Sequence, residues 1–292
     1  MSPLAAGGLS AALALLYVPL ARRWIGVVDA QQTDRSGRPM PRGGGVALLA
    51  AWAVPVLWVL RLEAVPLVAM AGAATAIGLH DDLRRSSARL RALALGGLAL
   101  AASWWVGGLA AVALPGLGVV PMGALAVPAG AAVVLATNVG FDFADGLDGL
   151  AAGLCLIACV GLLWAGAGVE VACLAGASAA FLVFNRPPAS VYLGDSGSNL
   201  VGFLLGVALL RSARLESGAF ALLPALLLVA VPAADTGSAL LRRARGGEGL
   251  FAGDREHIHH RLGRRFGPAG ALLVLLAVAS AGTGIAAWLL VL

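Results

Sequence analysis

The residues best suited to chemistry fall in four short groups, three of them built around carboxylates. Gly78-Leu79-His80-Asp81-Asp82 places two adjacent acids ahead of Ser86, Arg89 and Arg91. Adjacent carboxylates repel unless a metal ion, a shared proton or an arginine lies beside them. In Thr137-Asn138-Val139-Gly140-Phe141-Asp142-Phe143-Ala144-Asp145-Gly146-Leu147-Asp148-Gly149, residues 138, 142 and 145 are spaced i, i+4, i+7 and share one helix face. Three carboxylates so close together, bordered by apolar runs, call for a divalent ion or a cationic partner. In the third group, Asn185-Arg186-Pro187-Pro188 runs into Tyr192-Leu193-Gly194-Asp195-Ser196-Gly197-Ser198-Asn199. Its glycines let backbone approach a phosphate, and Asp195 offers a hard oxygen suited to Mg2+.

The fourth group runs from Arg242, Arg243, Arg245 and Glu248 into Asp254-Arg255-Glu256-His257-Ile258-His259-His260-Arg261. Three histidines in four residues suggest zinc, but a closed structural site needs a fourth ligand, usually cysteine, and this stretch has none. Interleaved arginine and histidine suit phosphate oxygens better. Each group also has a plainer reading: Asp81 and Asp82 as a solvated helix end, Asp145, Asp148 and Asp195 as helix caps, and the basic stretch as an anchor for anionic lipid.

The elements that must position these groups are membrane helices. Of 292 residues, 60% are hydrophobic and only 12% charged, with a mean hydropathy of +0.92; a soluble globule carries about 25% charged residues. The longest polar stretch, 242–267, is too short for a separate soluble domain, so the chain reads as one integral-membrane domain, 1–292, with 242–267 as a cytoplasmic loop. A crossing needs about 20 mostly apolar residues, and the runs 1–21, 43–60, 64–79, 92–114, 119–137, 149–169, 171–185, 196–210, 217–234 and 266–292 supply ten candidates. Pro115-Gly116-Leu117-Gly118 and Pro121 divide the long run from 92 to 141. The first run, with no basic residue before it, reads as a retained helix. The expected fold class is therefore all-α, a polytopic membrane protein with about ten transmembrane helices and a cytoplasmic-face active site.

Ten crossings put seventeen of the twenty arginines on one side and Arg61, Arg211 and Arg214 on the other. By the positive-inside rule the first side is cytoplasmic and both termini face outward. Twelve of fifteen carboxylates and all four histidines fall on that same side, which topology does not require. Arginines confined to short connectors argue against nucleic-acid binding. Cys155, Cys159 and Cys173 lie in apolar runs and form neither a disulfide framework nor a CxxC metal site.

In order along the chain, Pro39-Met40-Pro41-Arg42-Gly43-Gly44, the GxxDD at Gly78 to Asp82, the DGLDGL at Asp145 to Leu150, the GDSGS at Gly194 to Ser198 and the HIHH at His257 to His260 resemble the polyprenyl-phosphate N-acetylhexosamine-1-phosphate transferase family. The resemblance implies a ten- or eleven-helix bundle in a bacterial cytoplasmic membrane, working at the first membrane step of cell-envelope glycan synthesis. HexNAc-1-phosphate, with GlcNAc-1-phosphate favoured, would pass from a UDP-sugar to polyprenyl phosphate with release of UMP. The HIHH form resembles the branch using UDP-N-acetylglucosamine (the WecA/TagO type). The phospho-N-acetylmuramoyl-pentapeptide transferases, the alternative, usually carry three adjacent histidines followed by an acid, where this chain has Arg261.

What the resemblance implies for the site follows. Asp81, Asp82, Asp145 and Asp148 are the expected catalytic acids. Asp195, with Asn138 and Asp142, is expected to hold Mg2+, with Mn2+ as a substitute. Arg89, Arg91, Arg255, His257, His259 and His260 would bind phosphate oxygens, and Tyr192 would lie against uracil. UDP-HexNAc, polyprenyl phosphate and membrane lipids are the expected partners, and a homodimer is a family-level expectation. Two departures stand out: Asp142 replaces the usual second Asn of Asn-x-x-Asn-x-x-Asp-Gly, and Arg89 or Arg91 replaces a lysine after the acid pair. Two readings of other classes compete, a transporter, for which Asp235 is the most compatible acid, and a catalytically dead scaffold.

Overall fold

The computed structural model describes residues 1–24, 28–33, 39–84, 86–114, 116–212, 219–246 and 256–291. The helices are α1 (Pro3–Trp24), α2 (Gly44–Leu60), α3 (Val65–Arg84), α4 (Ala88–Val106), α5 (Ala126–Ala144), α6 (Leu150–Trp164), α7 (Val169–Asn185), α8 (Gly194–Ser212), α9 (Leu222–Leu228), α10 (Ala230–Gly246) and α11 (Ile258–Val291). Short strands join them: β1 (Val28–Thr33), β2 (Pro39–Pro41), β3 (Ala111–Leu114), β4 (Gly118–Pro121) and β5 (Phe220–Ala221). Each of the ten apolar runs contains helical backbone, which fits the all-α membrane class. By length and composition, however, only four helical stretches among the described residues suit a crossing, or five if α9 and α10 count as one bent span.

Three boundaries differ from the sequence expectation. The run 92–114 is not one helix: α4 ends at Val106, Gly107 follows in a left-handed conformation, and β3 pairs antiparallel with β4 and parallel with β5. The turn does fall at Gly116 to Gly118, both glycines having positive φ. The run 217–234 breaks into α9 and α10, which meet at 94°. The run 266–292 begins earlier, in α11, whose only non-helical residue, Gly267, precedes Pro268. Ile258 to His260 therefore lie on the first turn of a helix, with His257 directly before it, and the middle of the expected loop, 247–255, falls outside the described residues.

The shortness of the run 196–210 has a structural reason. α8 is the hub of the bundle, packed against α2, α3 and α5, and every residue from Ser196 to Leu210 is buried. A helix apolar all round belongs inside a bundle. Close packing there depends on small residues. A Cβ on Gly78 of α3 would run into the Asp195 carbonyl, and one on Gly202 of α8 would come within 2.6 Å of the Asn138 Cα. The first contact sets the end of α3, with Asp81 and Asp82, directly against the start of α8.

Candidate functional site

Two backbone connections assemble the site. The chain from Pro41 to Gly45 runs beside Tyr192 and Leu193: Tyr192 N–H donates to the Pro41 carbonyl at 2.9 Å, and Gly44 and Gly45 N–H donate to the carbonyls of Tyr192 and Leu193, both at 3.2 Å. Arg42 and Tyr192 are thereby held side by side. The second connection caps α8. Asp82 accepts from Asp195 N–H through Oδ1 and from Ser196 N–H through Oδ2, both at 3.0 Å. The Asp82 carboxylate is fully buried, with Arg42 Nη1 at 3.8 Å. Gly194, at φ 72, makes the turn into α8, and a Cβ there would meet the Asp82 carboxylate at 2.9 Å. The expected catalytic acid Asp82 is thus a two-pronged helix cap.

Asp81 faces differently. Its Oδ1 accepts from Ser86 N–H at 2.7 Å and from Ser86 Oγ at 2.6 Å. Arg91 Nη1 lies 2.6 Å from Asp81 Oδ2 and 2.8 Å from Asp195 Oδ2, while Nη2 lies 3.5 Å from Asp142 Oδ2. One guanidinium therefore serves three carboxylates from three helices. The two departures from the family pattern meet here: the extra charge of Asp142 faces an arginine, whose planar fork reaches several carboxylates where an ammonium is a single point. Ser198 Oγ donates to Asp142 Oδ1 at 3.3 Å.

Beside this cluster opens a cavity of about 610 Å3, lined by residues that include Arg42, Asp142, Asp145, Asp148, Tyr192, Asp195, His257, His259 and His260. Asp148 Oδ2 accepts from Ala189 N–H at 2.8 Å, and Asn185 bridges Gly149 N–H and the Val191 carbonyl. These bonds hold the DGLDGL turn to the segment before Tyr192. Burial pushes Asp145 well above the ordinary carboxylate range, and the negative field of Asp195, Asp142 and Asp82 adds to it against the opposing charge of Arg42. Asp195, in the polar first turn of α8, is pushed up to about 8, mainly by burial and then by Asp142, with Arg91 opposing.

Of the expected site residues, Asp142, Asp145, Asp148, Asp195, Tyr192, His257, His259 and His260 line the cavity, while Asp82 and Arg91 bond to Asp195 and Asp81 bonds to Arg91. Asn138 sits deeper: it is buried, its Nδ2 donates to the Asn199 carbonyl at 2.8 Å and its Oδ1 has no partner. Arg89 is exposed on α4 and away from the lining, and Arg255 lies outside the described residues. Arg42 was in a recognised motif but not among the expected site residues. Asp235, the acid most compatible with transport, is instead tied to the histidine motif at the cavity edge.

Among the described residues no three His, Cys, Asp or Glu side chains form a ready-made metal cage. Mg2+ does not require one, since it is commonly bound through one or two carboxylates together with substrate phosphates and water. Asp195, whose side chain is 30% exposed, offers a hard oxygen beside the cavity, and the Ser196 hydroxyl next to it is buried without a partner. The donor chemistry fits that ion.

Comparison with known proteins accords with this arrangement. Residues 64–213 match glycosyl transferase family 4. The chain belongs to that family. It is 34% identical to a decaprenyl-phosphate N-acetylglucosaminephosphotransferase of Mycolicibacterium smegmatis, over 89% of this chain and 75% of that one. A protein of the same name from Mycobacterium leprae is 33% identical, over 89% and 76% of the two chains. A phospho-N-acetylmuramoyl-pentapeptide-transferase of Synechococcus is 35% identical over a smaller share, 69% of this chain and 66% of that one. Within family 4, the matched segment holds the acid pair, DGLDGL and GDSGS, while HIHH lies beyond it.

Proposed function

We propose that this family 4 member transfers N-acetylglucosamine-1-phosphate from UDP-N-acetylglucosamine to polyprenyl phosphate, releasing UMP, at the cytoplasmic face of a bacterial inner membrane. The observation that carries the reading is the single cavity in which DGLDGL, the Tyr192-to-Asp195 turn, Arg42 and HIHH converge. The printed names of the mycobacterial relatives support the substrate class. The one-sided distribution of arginine, acid and histidine supports the cytoplasmic placement and outward termini. The match of ten apolar runs to helical backbone supports ten crossings, with α6 and α7 spanning a locally thinned bilayer.

In this reading an oxygen of the lipid phosphate attacks the sugar-side phosphorus, and the bond from that phosphorus to the UMP oxygen breaks. A phosphate monoester has its second pKa near 6, so positioning and charge neutralisation dominate over base strength. Arg42, His259 and His260 hold phosphate oxygens at the cavity wall, His257 stands beside them, and Tyr192 stacks on the uracil. Asp145, whose environment favours the protonated form, donates a hydrogen bond to a phosphate oxygen. Asp82 serves by fixing the first turn of α8. Mg2+, with Mn2+ as a substitute, would be held by Asp195 with Asp142 and would neutralise charge on the diphosphate.

The test is purified protein in nanodiscs with polyprenyl phosphate, Mg2+ and radiolabelled UDP-N-acetylglucosamine. Label should move into a lipid-soluble product with stoichiometric UMP. Transfer from UDP-N-acetylmuramoyl-pentapeptide alone would assign the chain to the other branch, and no transfer from any UDP-sugar would overturn the reading.

A further inference from the structure

The structure ties HIHH to the bundle through one buried side chain. Asp235, on α10 and 4% exposed, reaches across to α11 with both oxygens: Oδ1 accepts from Ile258 N–H at 2.8 Å, and Oδ2 lies 3.0 Å from His257 Nδ1. A carboxylate only accepts, so the hydrogen of this contact sits on Nδ1. His257 lines the cavity, and Nε2 is its remaining ring nitrogen. The ring is held on other sides too, by Phe143 of α5 at 4.6 Å and by a stacked His259 at 5.7 Å. Arg243 lies over the far ring, 5.7 Å from Phe143. His259 Nδ1 is 4.0 Å from the same Asp235 oxygen, too long for a hydrogen bond.

We propose that Asp235 is a positioning residue of the transferase site: it fixes His257 in the Nδ1–H tautomer and in one orientation, so that the Nε2 lone pair faces the substrates and accepts the hydrogen of a lipid phosphate that arrives as a monoanion. Second partners of this kind set which nitrogen of a histidine does chemistry. The 94° bend between α9 and α10 serves the same end, since it carries α10 to where Asp235 meets the start of α11. The proposal rests on the transferase reading for what Nε2 meets, but not for the tautomer.

Asp235→Asn separates the two bonds. The amide oxygen can still cap Ile258, keeping the start of α11, whereas the amide NH2 can only donate to Nδ1 and so forces the hydrogen onto Nε2. In histidine-15N-labelled protein in nanodiscs, His257 of the wild type is expected to carry its hydrogen on Nδ1, and Asp235→Asn to invert this. Turnover of UDP-N-acetylglucosamine should then fall about 100-fold in kcat, with KM changed less than about threefold. A wild-type His257 protonated on Nε2 would overturn the proposal without any variant. So would an inverted tautomer with unchanged kcat, or a variant with the wild-type tautomer. Absence of turnover by the wild type would instead overturn the function, leaving the tautomer result to stand by itself.

Discussion

Arg91→Gln removes the one guanidinium shared by Asp81, Asp195 and Asp142 and leaves three carboxylates facing one another. Two unit charges about 4 Å apart interact by about 4 kcal/mol at an effective dielectric of 20. Breaking a fully buried pair costs about 3–5 kcal/mol, and an exposed one about 1 kcal/mol or less. Arg91 is 25% exposed and Asp81 15%, so the cost lies between these limits, about 2–3 kcal/mol. Mg2+ should offset it, because a divalent ion gives the same carboxylates the charge that Arg91 supplied. At a hundredfold excess over its Kd, a ligand bound only by the folded state stabilises by about 2.7 kcal/mol. Reversible unfolding in mixed micelles, in EDTA and then in saturating Mg2+, reads both quantities. The variant is expected to lose about 2–3 kcal/mol in EDTA and to recover most of it in Mg2+. An equal deficit in both conditions, or none in either, would refute the idea that these three acids share one cation.

Further outcomes follow from the same geometry. Gly78→Ala, which drives a Cβ into the Asp195 carbonyl, should cost about 1–3 kcal/mol and abolish transfer, read by unfolding and lipid-product assays; wild-type behaviour would show that α3 and α8 do not touch there. Asp142→Asn removes the long 3.5 Å pair with Arg91 and should lower kcat by no more than about fivefold, since such a pair is worth about 1 kcal/mol. The amide oxygen remains available to Mg2+, so a hundredfold loss would show that the charge of Asp142, and not its oxygen alone, holds the ion. Because the Asp195 carboxyl is pushed up to about 8, Mg2+ must displace a proton below that pH, and its apparent affinity should fall about tenfold per unit as pH drops from 8 to 6; calorimetry showing no pH dependence would contradict this. The sign for stability is opposite. A carboxyl raised in the folded state contributes stability that is present below its unfolded value near 4 and is lost as pH rises through about 8.

The sequence carried the composition of the site better than its geometry. The spacing of Asp142, Asp145 and Asp148 and the Gly194-Asp195 turn marked the cavity wall, because short-range spacing survives folding unchanged. The docking of Gly78 on Asp195 was not legible: forty glycines are spread through the chain, and nothing local says which ones meet a neighbouring helix. The contact of Asp235 with His257 is not legible for a related reason, since the two lie 22 residues apart across a polar stretch. The run 92–114 misled because apolar strands such as Ala111–Leu114 carry no period that separates them from helix over so few residues. The break at Val229 has no glycine or proline at its position to announce it; Pro224 and Pro232 stand several residues to either side.

The central claim is that the acids at the start of α8 face a divalent ion gripping the diphosphate of the sugar donor. Pulsed electron–nuclear resonance on Mn2+-loaded protein with UDP-N-acetylglucosamine tests it most directly. A phosphorus coupling to Mn2+ is expected in the wild type and should vanish in Asp195→Asn, with that variant still folded. Undiminished coupling in the variant, or bound Mn2+ with no phosphorus nearby in the wild type, would contradict the account.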